Sequence, residues 1–191
     1  KTVRRTAPNP MTGDSFAAWF SKYPQVSLTA LAHSANEAEL VINATSGHAS
    51  IAALEEVGEE DLAGKILLDI ANPLDFSNGM PPSLYVSNTD SLGEQIQRRF
   101  PALRVVKSLN TMNTYIMMHP DTLKGEHNVF MSGNDDESKA AVAELLKSVG
   151  WTPASIIDLG DITTARGTEM LLPVWLRLWG ALGHANFNFH I

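Results

Sequence analysis

The sequence predicts an α/β fold built on a doubly wound parallel sheet with a C-terminal helix. Three observations carry that prediction. Short apolar runs alternate with segments of helical period along most of the 191 residues, as strand-helix-strand units require. Four runs too short for helices stop abruptly at small hydrogen-bonding residues: 40–47 (LVINATSG), 66–73 (ILLDIANP), 104–111 (RVVKSLNT) and 129–135 (VFMSGND). Strand ends of this kind line the edge of an open parallel sheet where ligands collect. All four are expected on one edge.

Taken in order, the chain opens on a loop at residues 6–14 (TAPNPMTGD) and has no initiator methionine at Lys1, so it reads as beginning partway through a longer unit. Phe16, Trp19, Phe20 and Tyr23 recur at helical spacing until Pro24 stops them. Residues 26–31 predict a short strand and residues 33–39 a short polar helix. After the turn at Thr45-Ser46-Gly47, the residues Ile51, Leu54 and Val57 share one helix face. Residues 77–87, with Gly79, Pro81 and Pro82, predict a surface loop beside the ligand edge. Ser91 and Glu94 have capping-box spacing ahead of Leu92, Ile96 and Phe100. Asp135, Asp136 and Glu137 place negative charge on the first turn of a helix carrying Val142, Leu145, Leu146 and Val149. Gly150 ends that helix, residues 156–159 make a last strand, and residues 163–182 a helix bent at Pro173.

Composition narrows the function classes. The length fits a single domain. The net charge of -7 excludes the basic face of a nucleic-acid binder, and the lack of cysteine excludes disulfides and thiolate metal sites. The most apolar run, residues 170–182, falls short of the ~20 residues of a membrane span and contains Pro173 and Arg177. A buried or interface helix is expected there, in a cytoplasmic protein without a secretory leader.

No catalytic cluster stands out. The six histidines show no metal-ligand spacing, and Ser46 lacks the context of a hydrolase nucleophile. His48 follows the first turn and reads as a helix-start residue sooner than as a general acid. Asp69 lies inside a strand, where hydrogen bonding to a neighbouring loop is the simplest reading. Arg166 and Glu169 are spaced as a surface pair, with Arg166 facing a ligand as the alternative. None of the thirteen glycines falls into G-x-G-x-x-G.

The strings RVVKSLNT (104–111), VFMSGNDDESK (129–139) and DLGDITTARGTEMLLPVWL (158–176) resemble corresponding stretches of the NADPH-dependent coenzyme F420 oxidoreductases. They are also similar to the NADPH domain of STEAP-type metalloreductases. The likeness runs in this order from about Leu40 to the C-terminus. It implies a Rossmann-type domain that binds NADP and passes a hydride to a flavin-like or deazaflavin (F420) acceptor. By that resemblance Ala44, Thr45 and Ser46, with Asn72 and Pro73, flank the nicotinamide ribose and ring, and Asn110 and Thr111 lie on the acceptor side. No catalytic side chain and no metal is implied, because hydride passes directly between two rings and the protein supplies orientation.

The family's first strand, glycine-rich turn and helix would precede Lys1, a unit of roughly 30–40 residues. The F420 enzymes carry histidine at the place of Asn110, whereas STEAP-type domains carry asparagine. Apolar residues on the bent helix, Trp175 and Trp179 among them, predict a homodimer. A non-catalytic dinucleotide sensor is the alternative from another class. An imine reductase of the pyrroline-carboxylate type is a weaker one, because little chain follows the sheet.

Overall fold

The computed structural model describes residues 16–191; the opening loop lies outside them. Helix α1 (Phe16–Lys22) is followed by a 3-10 turn (Leu31–His33) and strand β1 (Leu40–Asn43). Then come α2 (Gly47–Val57), α3 (Glu59–Leu62), β2 (Ile66–Asp69), β3 (Leu74–Asp75) and β4 (Ser83–Leu84). Helix α4 (Leu92–Arg99), β5 (Arg104–Ser108), α5 (Thr114–Met118), β6 (Val129–Gly133) and α6 (Asp136–Ser148) continue the chain. It closes with β7 (Ile156–Asp158), α7 (Ala165–Met170) and α8 (Leu172–Leu182).

Five strands form the main sheet in the order β1-β2-β5-β6-β7. Alternate residues on each strand face opposite layers. Leu67 and Val105 join Leu54, Leu92, Ile96 and Phe100 in one core, while Leu68 and Val106 join Ile116, Val142, Leu146 and Trp151 in the other. Helices therefore cover both faces, which is the doubly wound, Rossmann-type arrangement.

The sheet is not wholly parallel. β1, β2 and β5 run together, and so do β6 and β7, but β5 and β6 pair antiparallel, with Ser108 opposite Met131 and Val106 opposite Gly133. Parallel neighbours need a crossover that carries the chain back to its starting end. The link from β5 to β6 instead contains only α5 and a 3-10 turn (Pro120–Thr122), and it re-enters the sheet at the end it left. The turn at Gly133-Asn134-Asp135 consequently sits on the opposite edge from the other three, which corrects the expectation of a single edge. There Asn134 Oδ1 accepts from the Ile162 amide at 3.0 Å, and Asp135 caps α6 by accepting from the Ser138 amide at 2.8 Å.

The strand expected at 26–31 does not form. Val26 and Leu28 are exposed and no strand lies beside them among the described residues, so the backbone has no ladder to join. The polar helix expected at 33–39 does not form: a 3-10 turn ends at His33 and residues 34–37 continue as turns. The surface loop at 77–87 is in fact the tip and return arm of a hairpin, with β3 antiparallel to β4. The predicted bent helix is a 3-10 turn (Ile162–Thr164) followed by α7 and α8, parted at Leu171 ahead of Pro173. Proline removes the amide that a continuous helix would use there.

Candidate functional site

The carboxyl ends of β1, β2 and β5 meet at one edge, and their turns pack backbone against backbone. A Cβ on Gly47 would stand 2.2 Å from the Asn72 carbonyl oxygen, so only glycine lets the first turn approach the second this closely. The second and third turns are joined by paired amides: Asn72 Nδ2 donates to the Asn110 carbonyl at 2.9 Å, and Asn110 Nδ2 donates to Asn72 Oδ1 at 2.9 Å. Thr45 Oγ1 donates to Asn43 Oδ1 at 2.7 Å. The structure thus brings Ala44, Thr45, Ser46, Asn72, Pro73, Asn110 and Thr111 to one edge. Ala44 and Ser46 are exposed, Thr45 and Asn72 half-buried, and Pro73, Asn110 and Thr111 buried.

Beneath this edge lies a buried ionic cluster. Lys107 Nζ contacts Asp69 Oδ2 at 2.8 Å and Glu169 Oε1 at 2.9 Å, and also donates to the Ala71 carbonyl. Its three N–H bonds are all used. Asp69 Oδ1 accepts from Asn43 Nδ2 at 2.8 Å and from the Ala71 amide at 3.2 Å. Glu169 accepts from the Leu92 and Gly93 amides at 2.8 and 3.1 Å, satisfying donors that a helix N-terminus leaves open. Burial alone would lower the Lys107 pKa, but Asp69 and Glu169 outweigh it and hold the pKa above the ordinary lysine value.

Several single-residue expectations resolve here. Asp69 does bond to the following loop, at the Ala71 amide, yet its main partner is a buried lysine. Arg166 and Glu169 are not a surface pair. Arg166 makes a two-pronged bond to Glu94, with its Nε 2.8 Å from Oε2, and Glu169 is buried. The capping box holds in part, since Ser91 Oγ accepts from the Glu94 amide at 3.1 Å, but the Glu94 carboxylate turns to the Ser91 hydroxyl and Arg166. His48, exposed, stacks on Tyr85 with ring centroids 4.2 Å apart. Burial chiefly, with Glu169 next, pushes the Tyr85 phenol up to about 12.

Lys107 and Glu169 are the members that sequence reasoning missed. A lysine inside RVVKSLNT breaks an otherwise apolar strand, and that interruption was the available signal. Two concavities lie away from this edge, one of about 360 Å³ lined by His127 and Trp151 and one of about 600 Å³ by Met80, Arg177 and Trp179; at the edge itself Ala44 and Ser46 are exposed, and the three turns form a shelf.

Ser46 makes no side-chain cap bond at the start of α2, so that side chain leaves first-turn amides open. Among the described residues no group of His, Cys, Asp and Glu could hold a metal ion, and no helix is long and apolar enough to cross a membrane.

No family model matches the chain. Among solved structures it is similar to a protein of Arthrobacter sp. FB24 provisionally designated an F420-dependent NADP-reductase: 64% identity, TM-score 0.89, covering 93% of this chain and 80% of that one. A hypothetical protein of Sinorhizobium meliloti is 28% identical at TM-score 0.54, over 70% of this chain and 62% of that one. Rat metalloreductase STEAP3 is 31% identical over 120 residues, 61% of this chain. The chain spans 22% of that curated relative's length. Fold, shelf and relatives together define the class as Rossmann-type reductases that use NAD(P)H. Within that class, the chain belongs to the family of the F420-dependent NADP-reductase.

Proposed function

We propose that this protein is an NADP-dependent oxidoreductase that passes a hydride between NADPH and a flavin-like or deazaflavin (F420) acceptor. The observation that carries the reading is the convergence of three parallel strand ends on one shelf, in a chain 64% identical to a protein designated as such a reductase. Bound there, NADPH supplies the hydride. Ala44, Thr45, Ser46, Asn72 and Pro73 orient the nicotinamide end, and Asn110 and Thr111 face the acceptor. The buried acids and base beneath the shelf are fully engaged with one another, which fits a reaction driven by proximity rather than by proton transfer from a side chain.

On this reading the phosphates of NADPH are held by a strand-turn-helix unit. The outer side of β1, unpaired among the described residues and bearing Ile42 at 53% exposure, is where its strand would add. The apolar α8 surface, with Val174, Leu178, Trp179 and Leu182 exposed, supports a homodimer; light scattering at micromolar protein is expected to give the mass of two chains. A cytoplasmic location accords with a small-molecule redox acceptor.

NADPH oxidation with a panel of flavins and deazaflavins tests the reaction: turnover with at least one is expected, whereas binding with no turnover favours a dinucleotide sensor. Ser46→Trp is expected to abolish NADPH binding and leave the melting temperature unchanged. Unchanged affinity in that variant would place the cofactor elsewhere.

A further inference from the structure

We infer that the buried Asp69–Lys107–Glu169 cluster sets the redox preference of the site, its uncompensated negative charge favouring the cationic nicotinamide of NADP+ over the neutral ring of NADPH. This rests on the proposed function, in that it takes the nicotinamide to lie against the three turns.

The charge count comes from the hydrogen bonds. Every polar neighbour of Asp69 and Glu169 is a donor: Asn43 Nδ2, the Ala71 amide and Lys107 for the first, and the Leu92 and Gly93 amides with Lys107 for the second. With only donors around them, both carboxyl groups serve as acceptors on every oxygen that is bonded. Two carboxylates against one ammonium leave one negative charge. The α4 amides screen Glu169 with partial charge only.

The cluster is wired to the shelf. Lys107 and Asp69 grip the carbonyl and the amide of Ala71, the residue before Asn72. Asp69 also reaches Thr45 through Asn43. With all three side chains at most 2% exposed, solvent screens this charge little. Tyr85, whose backbone amide bonds to the Pro73 carbonyl at the same edge, feels the cluster too: burial chiefly, then Glu169, pushes its phenol up, Lys107 pulls it down and Asp69 adds to the rise.

Oxidation of NADPH places a positive charge on the nicotinamide ring. A fixed negative charge beneath it stabilises the product form and makes the bound dinucleotide a stronger hydride donor. This gives a buried ionic cluster a role that apolar packing could not fill.

Calorimetric titration of NADP+ and NADPH separately, on wild type and variants, tests the inference. E169Q makes the cluster neutral. The triple variant D69N/K107M/E169Q does the same without leaving any buried charge unpaired, and it decides the matter should E169Q not fold. K107M/E169Q restores one negative charge through Asp69 alone. In the neutral variants Kd for NADP+ is expected to rise about tenfold, as for loss of a unit charge acting over about 12 Å through an effective dielectric near 20. Kd for NADPH should stay within about twofold, and K107M/E169Q should return to the wild-type ratio. An unchanged ratio in a folded neutral variant overturns the inference while leaving the proposed function standing. Failure of wild type to bind either form removes both.

Discussion

The two halves of the sheet end their strands differently. β1, β2 and β5 run together, and their turns converge on an ionic cluster and a pair of amides. β6 and β7 run the other way relative to β5, and the turn after β6 spends its polar side chains on local tasks, capping α6 and holding the Ile162 amide. The same type of turn sequence thus joins three strand ends at one edge in one half and caps a helix in the other. Strand direction decides which.

That contrast can be broken at its strongest point by Lys107→Met. Two buried carboxylates would lose their shared partner, at a cost of about 4 kcal/mol. The expected outcome is a large drop in the urea midpoint together with an altered ratio of NADP+ to NADPH affinity on the folded fraction. Leu146→Ala, on α6 in the core layer that also holds Val129 and Met131 of β6 and 1% exposed, should cost about 3 kcal/mol through the cavity it leaves. Its cofactor affinity, measured on the folded fraction, should match wild type. The same change of ratio in both variants would mean that the halves are not distinct. Gly47→Ala sharpens the comparison with a smaller change. Its methyl group must push the Asn72 carbonyl aside, at about 2 kcal/mol, so binding should weaken several-fold more than stability alone explains, as calorimetry beside a melting curve would show.

Much of this was readable from residue order. Apolar runs ending in Thr45-Ser46, Asn72-Pro73 and Asn110-Thr111 located three strands and their shared edge, because burial and turn chemistry are local signals. The direction of β6 was not readable. Its own residues are apolar either way, and the link before it is long enough to have held a crossover. The strand at 26–31 failed because local propensity cannot supply a neighbouring strand. Lys107 and Glu169 are far apart in the chain, and nothing local to either says that a third residue, Asp69, joins them. Pairings of that kind are decided by packing, which also turned Arg166 from Glu169 to Glu94.

The contact between Gly47 and Asn72 has one further consequence. Where two turns touch through main-chain atoms, the gap between them is set by the skeleton of the protein and not by its side chains. Exchanging Thr45 or Ser46 can therefore alter what the shelf prefers to hold without changing its width, which makes these positions suitable for retuning its choice of ligand.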